Sequence, residues 1–186
     1  MIVILSGVSG AGKDTIKRIL MGKDGRIKTL PSYTTREKRV NEVEGENYYY
    51  VSKEKFKEMI DNNEFYEYSV HHGNYYGTNK KLLNEKIKNN IVLKDIDVNG
   101  TEDLLKIFRG TEIKIISIFL NISKEEMLRR LENRDDKLKQ EEIELRMNRY
   151  DYEMNHIGIY DYVIKNEDAE KTSNIILDII KREQEQ

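Results

Sequence analysis

The sequence predicts an α/β fold in which a parallel sheet is wrapped by helices, with one small β-rich insertion. Three observations predict it. The apolar run Ile2-Val3-Ile4-Leu5 leads into the glycine-rich stretch Gly7-Val8-Ser9-Gly10-Ala11-Gly12-Lys13-Asp14-Thr15, and apolar residues at Ile16, Ile19 and Leu20 then follow at helical spacing. Downstream, apolar runs of strand length alternate with amphipathic helical segments, the pattern of a parallel sheet covered by helices. Between about Tyr33 and Thr78 that alternation breaks, in a stretch rich in tyrosine and other β-formers. A length of 186 residues fits one domain with small insertions and buries enough surface to fold without metal or disulfide staples.

A strand, a glycine-rich turn and a helix are the context that a phosphate-binding loop requires. Gly7, Gly10 and Gly12 let the backbone turn tightly and approach a ligand with no Cβ in the way. Successive N–H groups then point inward, the helix N-terminus adds partial positive charge, and Lys13 supplies a full charge for the outer phosphates. The usual pattern places Ser or Thr directly after the lysine to bind magnesium. Asp14 stands there instead, with Thr15 one place later. A carboxylate beside phosphates is costly unless a metal ion or a lysine offsets it.

The remaining elements follow in order. Gly22 to Gly25 is a turn signal, and Ile27-Lys28-Thr29-Leu30 is a short strand ended by Pro31. Ser32 to Arg39 is polar, basic and hydroxyl-rich, and reads as a loop whose arginines suit an oxyanion. Asn47 to Val51 reads as a strand, and Ser52 as the N-cap of a helix carrying Phe56, Met59 and Ile60 on one face. Phe65 to Val70 is a second strand, with Phe65, Glu67 and Ser69 sharing one face. His71 and His72 fall in the next turn and are assigned structural or surface roles, since neighbouring residues there make a poor metal pair. Gly73 to Thr78 is a turn and a short extended piece.

Leu82, Leu83 and Ile87 mark a helix over 80–89. Ile91 to Asp97 reads as a strand ending in two carboxylates, Asp95 and Asp97, on one side by the period-two rule. In open α/β sheets that end of a strand is where ligands bind. A helix with Leu104, Leu105 and Phe108 precedes Ile113 to Leu120, a near-continuous apolar run that reads as a central strand. Ser123 to Glu126 is a capping box, opening a helix that carries Arg129, Arg130 and, at its end, Arg134. Asp135 to Gln140 is a polar, mobile link to a helix from Glu141 to about Asn155 with Arg146 and Arg149. Asp161 to Asn166 is a last strand, and an amphipathic helix closes the chain.

There is no cysteine, which excludes disulfides, thiol nucleophiles and thiolate metal sites. Charged residues make up 35% of the chain, yet the net charge is −2, so no global basic field draws it to nucleic acid. The first strand begins at once, so no signal peptide is expected, and no apolar run is long enough to span a bilayer as a helix. The expected location is the cytoplasm, with no membrane partner.

Taken together, Gly7–Thr15, Ser32–Arg39, Gly45–Ser52, Glu64–Glu67, Gly73–Thr78, Leu93–Gly100, Arg130–Arg134, Arg146 and Asp161–Asn166 resemble the guanylate kinases, nearly chain-wide and in order. The resemblance implies a P-loop NTPase three-layer core with a parallel sheet over residues 1–32, 79–122 and 156–186. It further implies a GMP-binding insertion over 33–78 and a helical lid region over 123–155. The implied reaction moves the γ-phosphoryl group of ATP to GMP with Mg2+. By the same resemblance Gly7, Val8, Ser9, Gly10, Ala11, Gly12, Lys13, Asp14, Thr15, Arg130, Arg134 and Asn166 would bind ATP, with Asn166 near adenine. Ser32, Arg36, Arg39, Tyr48 and Tyr76 would hold the GMP phosphate, and Glu67, Thr78 and Asp97 the guanine edge. Lys13, Arg36, Arg134 and Arg146 would be catalytic, and Asp95 and Asp14 would lie near the metal. This chain departs from the family pattern at Asp14, at Lys94 in place of an apolar residue, and at Asn99 in place of glutamine. Asp after the loop lysine also appears in a related bacterial kinase acting on ribose 1,5-bisphosphate, which is the alternative enzyme. A non-catalytic guanylate-kinase-like interaction module is the alternative of another class.

Overall fold

A computed structural model describes residues 1–40, 42–71, 73–133 and 140–185. The first apolar run forms β1 (Ile2–Gly7), the loop lysine opens α1 (Lys13–Lys23), and β2 (Ile27–Thr29) follows the glycine turn. Next come β3 (Ser32–Thr34), β4 (Tyr48–Tyr50), α2 (Lys53–Asp61), β5 (Phe65–His71) and β6 (Asn74–Asn79). The chain continues through α3 (Lys80–Lys86), β7 (Ile91–Asp95), α4 (Val98–Phe108) and β8 (Ile115–Asn121). It ends with α5 (Lys124–Glu132), α6 (Gln140–Asn155), a 3-10 turn (Ile157–Ile159), β9 (Tyr162–Lys165) and α7 (Ala169–Gln184).

The larger sheet has five strands in the order β2-β7-β1-β8-β9. Ile27 pairs in parallel with Ile91, and Ile118 with Tyr162. All six residues of β1 are buried, which is why its sequence reads as an unbroken apolar run with no alternation. The chain divides into two compact units, one of Met1–Ile4 and Gly25–Ile115, the other of Leu5–Asp24 and Ile116–Gln186.

In the first unit, Ile2, Ile4, Leu83, Val92, Leu104 and Phe108 form one apolar cluster, with α4 turning its regularly spaced apolar face inward. A four-stranded sheet, β4-β3-β6-β5, is built from the tyrosine-rich stretch. It has its own small core of Phe56, Met59 and Phe65, with the Phe56 and Phe65 rings stacked at 4.5 Å. In the second unit α1 packs on α7, and α5 on α6, burying Ile16, Leu20, Ile176, Met127 and Leu131.

Side-chain caps set most helix starts. Ser52, Asn79, Asp97, Ser123 and Asp168 each accept a hydrogen bond from a first-turn N–H of α2, α3, α4, α5 and α7. The capping box at Ser123 forms by half. Ser123 accepts from the Glu126 N–H at 3.2 Å, but the Glu126 carboxylate turns to Arg129 and Arg130 instead of reaching back.

Three further expectations change. Ser32–Thr34, read as loop, is strand β3, because β4 pairs with it on one side and β6 on the other; tertiary pairing overrides a polar local sequence. The run from Ile91 ends as strand at Asp95, so Asp97 does not share a strand side with it. Asp97 caps α4, its Oδ1 accepting from the Gly100 N–H at 3.0 Å. His71, read as a turn residue, is the last residue of β5, paired with Asn74. His72 and the link at Asp135–Lys139 lie outside the described residues.

Candidate active site

The glycine-rich loop lies in the second unit, between β1 and α1. Gly12 occupies the N-cap of α1 in the left-handed region, at φ 90°, and no side chain caps this helix. The orphan N–H groups of its first turn are therefore offered to a ligand, which suits an anion. The loop's carbonyls are held from outside. Lys13 Nζ donates to Gly7 O at 2.8 Å, Arg130 to Gly10 O at 3.1 Å, and the Asn166 amide to Ala11 O at 2.6 Å. These bonds fix how the peptide planes of the loop are turned.

Two helices bring arginine to this loop. Arg130, on α5, also donates to Asn166 O at 3.1 Å and is aimed by Glu126 at 2.6 Å. Arg146, on α6, donates to the Ser9 hydroxyl at 3.0 Å. The loop thus gathers three cations, Lys13, Arg130 and Arg146, at Gly7 O, Gly10 O and the Ser9 hydroxyl. Arg134 lies outside the described residues. Beside the loop, Ile122, Ser123, Arg130, Lys165 and Asn166 line a cavity of about 330 Å³. Asn166 is 3% exposed, and among the described residues its Oδ1 meets no donor within hydrogen-bond distance, an acceptor suited to an incoming amino group.

Asp14 is solvent-exposed, with its carboxylate 2.7 Å from Lys17 Nζ. Thr15 is exposed beside it, and Asp95 sits half-buried at the C-terminal end of β7. Among the described residues, no three His, Asp or Glu side chains are grouped as a metal cage.

The second cluster lies in the first unit, on the small sheet and the start of α4. The Arg36 guanidinium lies 5.2 Å from the centre of the Tyr48 ring and 5.8 Å from that of Tyr50. Tyr48 meets Tyr76 with ring centres 5.9 Å apart, and Ser32 stands opposite Tyr48 in the parallel register. Arg36 is held by Glu42 at 2.6 Å; the same carboxylate accepts from the Arg39 N–H and from the Tyr50 hydroxyl, each at 2.8 Å. Burial works to raise the Glu42 pKa, but these three donors override it and hold the carboxyl at about 2. The Arg39 side chain is exposed, so only its backbone joins this network.

Glu67 is 8% exposed. The bulge after Phe65 sets it opposite Thr78, whose hydroxyl donates to Glu67 Oε1. Gly100 leaves room for this carboxylate, since a Cβ there would stand 3.2 Å from Glu67 Oε2. Burial raises the Glu67 pKa above its ordinary value; the Lys94 charge and the Thr78 bond oppose that rise, while Asp97 adds to it. Asp97 Oδ2 lies 2.9 Å from His71 Nε2, which also contacts the Ser69 hydroxyl at 3.0 Å. His71 thus makes a structural contact with Asp97 from the end of β5.

Sequence reasoning passed over Glu42, and it noted Lys94 only as a departure. Lys94 is 1% exposed and donates to the Ser32 hydroxyl and, at 3.5 Å, to Leu30 O. A charged residue inside the run Ile91-Val92-Leu93-Lys94 was the available signal, because lysine is almost never fully buried without partners.

The guanylate kinase family model matches residues 1–183. The chain belongs to the guanylate kinase family. It is 41% identical to a guanylate kinase of Prochlorococcus marinus (strain MIT 9312), over 97% of this chain and 96% of that protein. It is 39% identical to a guanylate kinase of Helicobacter pylori (strain 26695), over 97% of this chain and 86% of the other. The crystal structure of guanylate kinase from Anaplasma phagocytophilum superposes with a TM-score of 0.80 at 32% identity, covering all of this chain and 87% of that one. A shikimate kinase from Acinetobacter baumannii in complex with shikimate gives a TM-score of 0.52 at 15% identity, covering 97% of this chain and 93% of that one, a likeness of fold alone. The guanylate kinase assignment carries the P-loop α/β fold and a nucleoside monophosphate kinase class with it. Neither the ribose 1,5-bisphosphate kinase nor the interaction module is favoured.

Proposed function

We propose that this chain transfers the γ-phosphoryl group of ATP to the phosphate of GMP, giving ADP and GDP, with residues 123–155 as lid and 33–78 as the acceptor-binding insertion on the core of 1–32, 79–122 and 156–186. The observation that carries the choice of acceptor is the buried Glu67–Thr78 pair beside Asp97, in the same unit as Arg36, Tyr48 and Tyr76. Guanine presents N–H donors at N1 and N2 and an acceptor at O6. Carboxylates accept from the donors, and the Thr78 hydroxyl, its single proton given to Glu67 Oε1, holds that carboxylate in place. Adenine presents the opposite pattern at N1 and its 6-position, so a buried polar site of this kind rejects it.

On the donor side, the N–H groups of 7–15 and Lys13 would bind the β- and γ-phosphates, and Arg130 and Arg146 would balance charge on the transferring group. The Asn166 Oδ1 would accept from the adenine amino group. On the acceptor side, Ser32, Arg36, Arg39, Tyr48 and Tyr76 would hold the GMP phosphate, with Arg36 exchanging Glu42 for phosphate oxygens. Arg134 completes the set of arginines by resemblance. The protein makes no covalent intermediate. It aligns the GMP oxygen with the γ-phosphorus and stabilises the charge that spreads over the transferring group.

Carboxylate oxygens are hard ligands suited to magnesium, which keeps several waters and binds through one or two carboxylates and substrate phosphates. Asp14 and Asp95 fit that donor set, and Thr15 adds a hydroxyl. There they would hold magnesium, which would supply charge neutralisation to the bound triphosphate. We assign nucleotides as the partners, with no nucleic acid or membrane, and the cytoplasm, where such nucleotides are found, as the location.

A coupled assay of ADP release with ATP, Mg2+ and either GMP, AMP or ribose 1,5-bisphosphate tests the reading. The expected kcat/KM for GMP exceeds that for AMP by at least about 10³, from the cost of unpaired buried polar groups. Turnover of AMP at a comparable rate, or none with GMP, overturns it.

A further inference from the structure

Lys94 is a buried cation that the mechanism above does not use. Its whole side chain is inside the first unit, 1% exposed, at the second-to-last position of β7. Burying an ammonium is expensive unless its protons are bonded and its charge is compensated. Both conditions are met, in part by Ser32 and Glu67, which are assigned above to the acceptor. One proton goes to the Ser32 hydroxyl, another reaches Leu30 O, and the positive charge acts on the Glu67 carboxylate.

The bond to Ser32 has a directional consequence. An ammonium has three donors and no acceptor, so Ser32 Oγ must be the acceptor in this pair. A serine hydroxyl has a single proton, and its other partner must then receive that proton. With Lys94 behind it, Ser32 becomes a donor facing outward, polarised by a full positive charge. A donor so arranged fits an anionic oxygen and not a cation or another donor. Without the lysine the hydroxyl is free to rotate and to serve either way, so its orientation must be bought at binding.

We propose that Lys94 is a positioning residue for the acceptor phosphate, acting through the Ser32 hydroxyl. The inference rests on the assignment of GMP as acceptor and deepens it. Lys94 touches no substrate. It sets which way Ser32 donates and adds its charge to the side of the cluster that receives the phosphate.

The test is a double-mutant cycle on the full chain, with Lys94→Met, which keeps side-chain length and volume, Ser32→Ala, and the pair. Steady-state kinetics are read separately for GMP and ATP, and GMP and guanosine binding are read by calorimetry without ATP. Lys94→Met is expected to raise KM for GMP roughly ten- to a hundred-fold, the range for a hydrogen bond to a charged group. The kcat is expected to stay within about twofold, as for an interaction made equally in the ground and transition states, and KM for ATP to stay unchanged. Ser32→Ala should match it, the double variant should be no worse than either, and guanosine affinity should fall far less than GMP affinity. Lys94→Gln, which keeps a donor without the charge, should fall between wild type and Lys94→Met, and serves if the methionine variant does not fold.

An unchanged KM for GMP in the folded Lys94 variants, additive losses in the double variant, or equal losses for guanosine and GMP each overturn the inference. The two readings separate cleanly. Wild-type protein that fails to phosphorylate GMP removes the functional assignment, whereas wild-type protein that does so alongside an unaffected Lys94→Met removes this inference alone.

Discussion

Glu67→Gln is the most telling single substitution, because it changes one atom of the proposed base-reading site and nothing of its shape. Glu67 is 8% exposed and already accepts the Thr78 hydroxyl on Oε1, so under the proposed function Oε2 is the oxygen left for the guanine donors. An amide in its place presents either its NH2 to guanine, donor against donor, or its NH2 to Thr78, at the cost of that bond. Loss of a charged acceptor costs about 1.5–3 kcal/mol, and a donor left facing a donor adds a further ~1 kcal/mol. The sum is roughly 2.5–4 kcal/mol, or about 10²–10³ in kcat/KM for GMP. AMP should not lose: its N1 acceptor and 6-amino donor match an amide. The GMP-to-AMP ratio therefore falls by the full GMP loss. The assay is coupled ADP release with each nucleotide across pH. Burial raises the Glu67 pKa above 4.5. In wild type kcat/KM for GMP should accordingly rise with pH along an acid limb above 4.5 as Glu67 ionises. That limb should vanish in the variant. A Glu67→Gln enzyme that keeps GMP turnover within about threefold of wild type, or keeps its GMP-to-AMP ratio, refutes the reasoning.

Other expectations follow from the same geometry. Lys13→Ala should lower kcat by at least about 10² with the fold intact by circular dichroism, since a full charge on the transferring group is lost; wild-type turnover would dismiss its role. Glu42→Gln should cost about 1–2 kcal/mol in urea unfolding at neutral pH, after allowance for its partial exposure. The sign is fixed by a depressed pKa: the stabilisation is full above 4.5 and is lost as pH falls from there toward about 2, where wild type and variant should converge. A constant difference across that window would count against the Arg36–Glu42 pairing. Gly7→Ala should destabilise by roughly 2 kcal/mol or more. At φ 151° the new Cβ would stand 2.5 Å from Leu120 O. A loss under about 0.5 kcal/mol would show that β1 and β8 shift freely there. Asp14→Ser should change the Mg2+ concentration for half-maximal rate if Asp14 serves the ion; an unchanged midpoint removes it from the metal site.

The sequence alone determined the strand–loop–helix at residues 2–20, the alternation of strands and helices, and the tyrosine-rich insertion. Each is a local pattern: a continuous apolar run, a 3.6-residue period, a glycine spacing. It also placed Glu67 on one strand face with Phe65 and Ser69, singled out Lys13 from the glycine-loop pattern, and named Arg146 by resemblance. Tertiary structure alone decided the rest, since these facts depend on groups far apart in the chain. Ser32–Thr34 is strand because two partners, around residues 48 and 76, supply its hydrogen bonds. Asp97 caps a helix because the strand before it runs out of partners at Asp95. Arg146 reaches Ser9 across 137 residues, and Lys94 reaches Ser32 across 62. A sequence shows which side chains carry charge, but which charge meets which hydroxyl is settled only when burial removes water and leaves each polar group to find a partner within the fold.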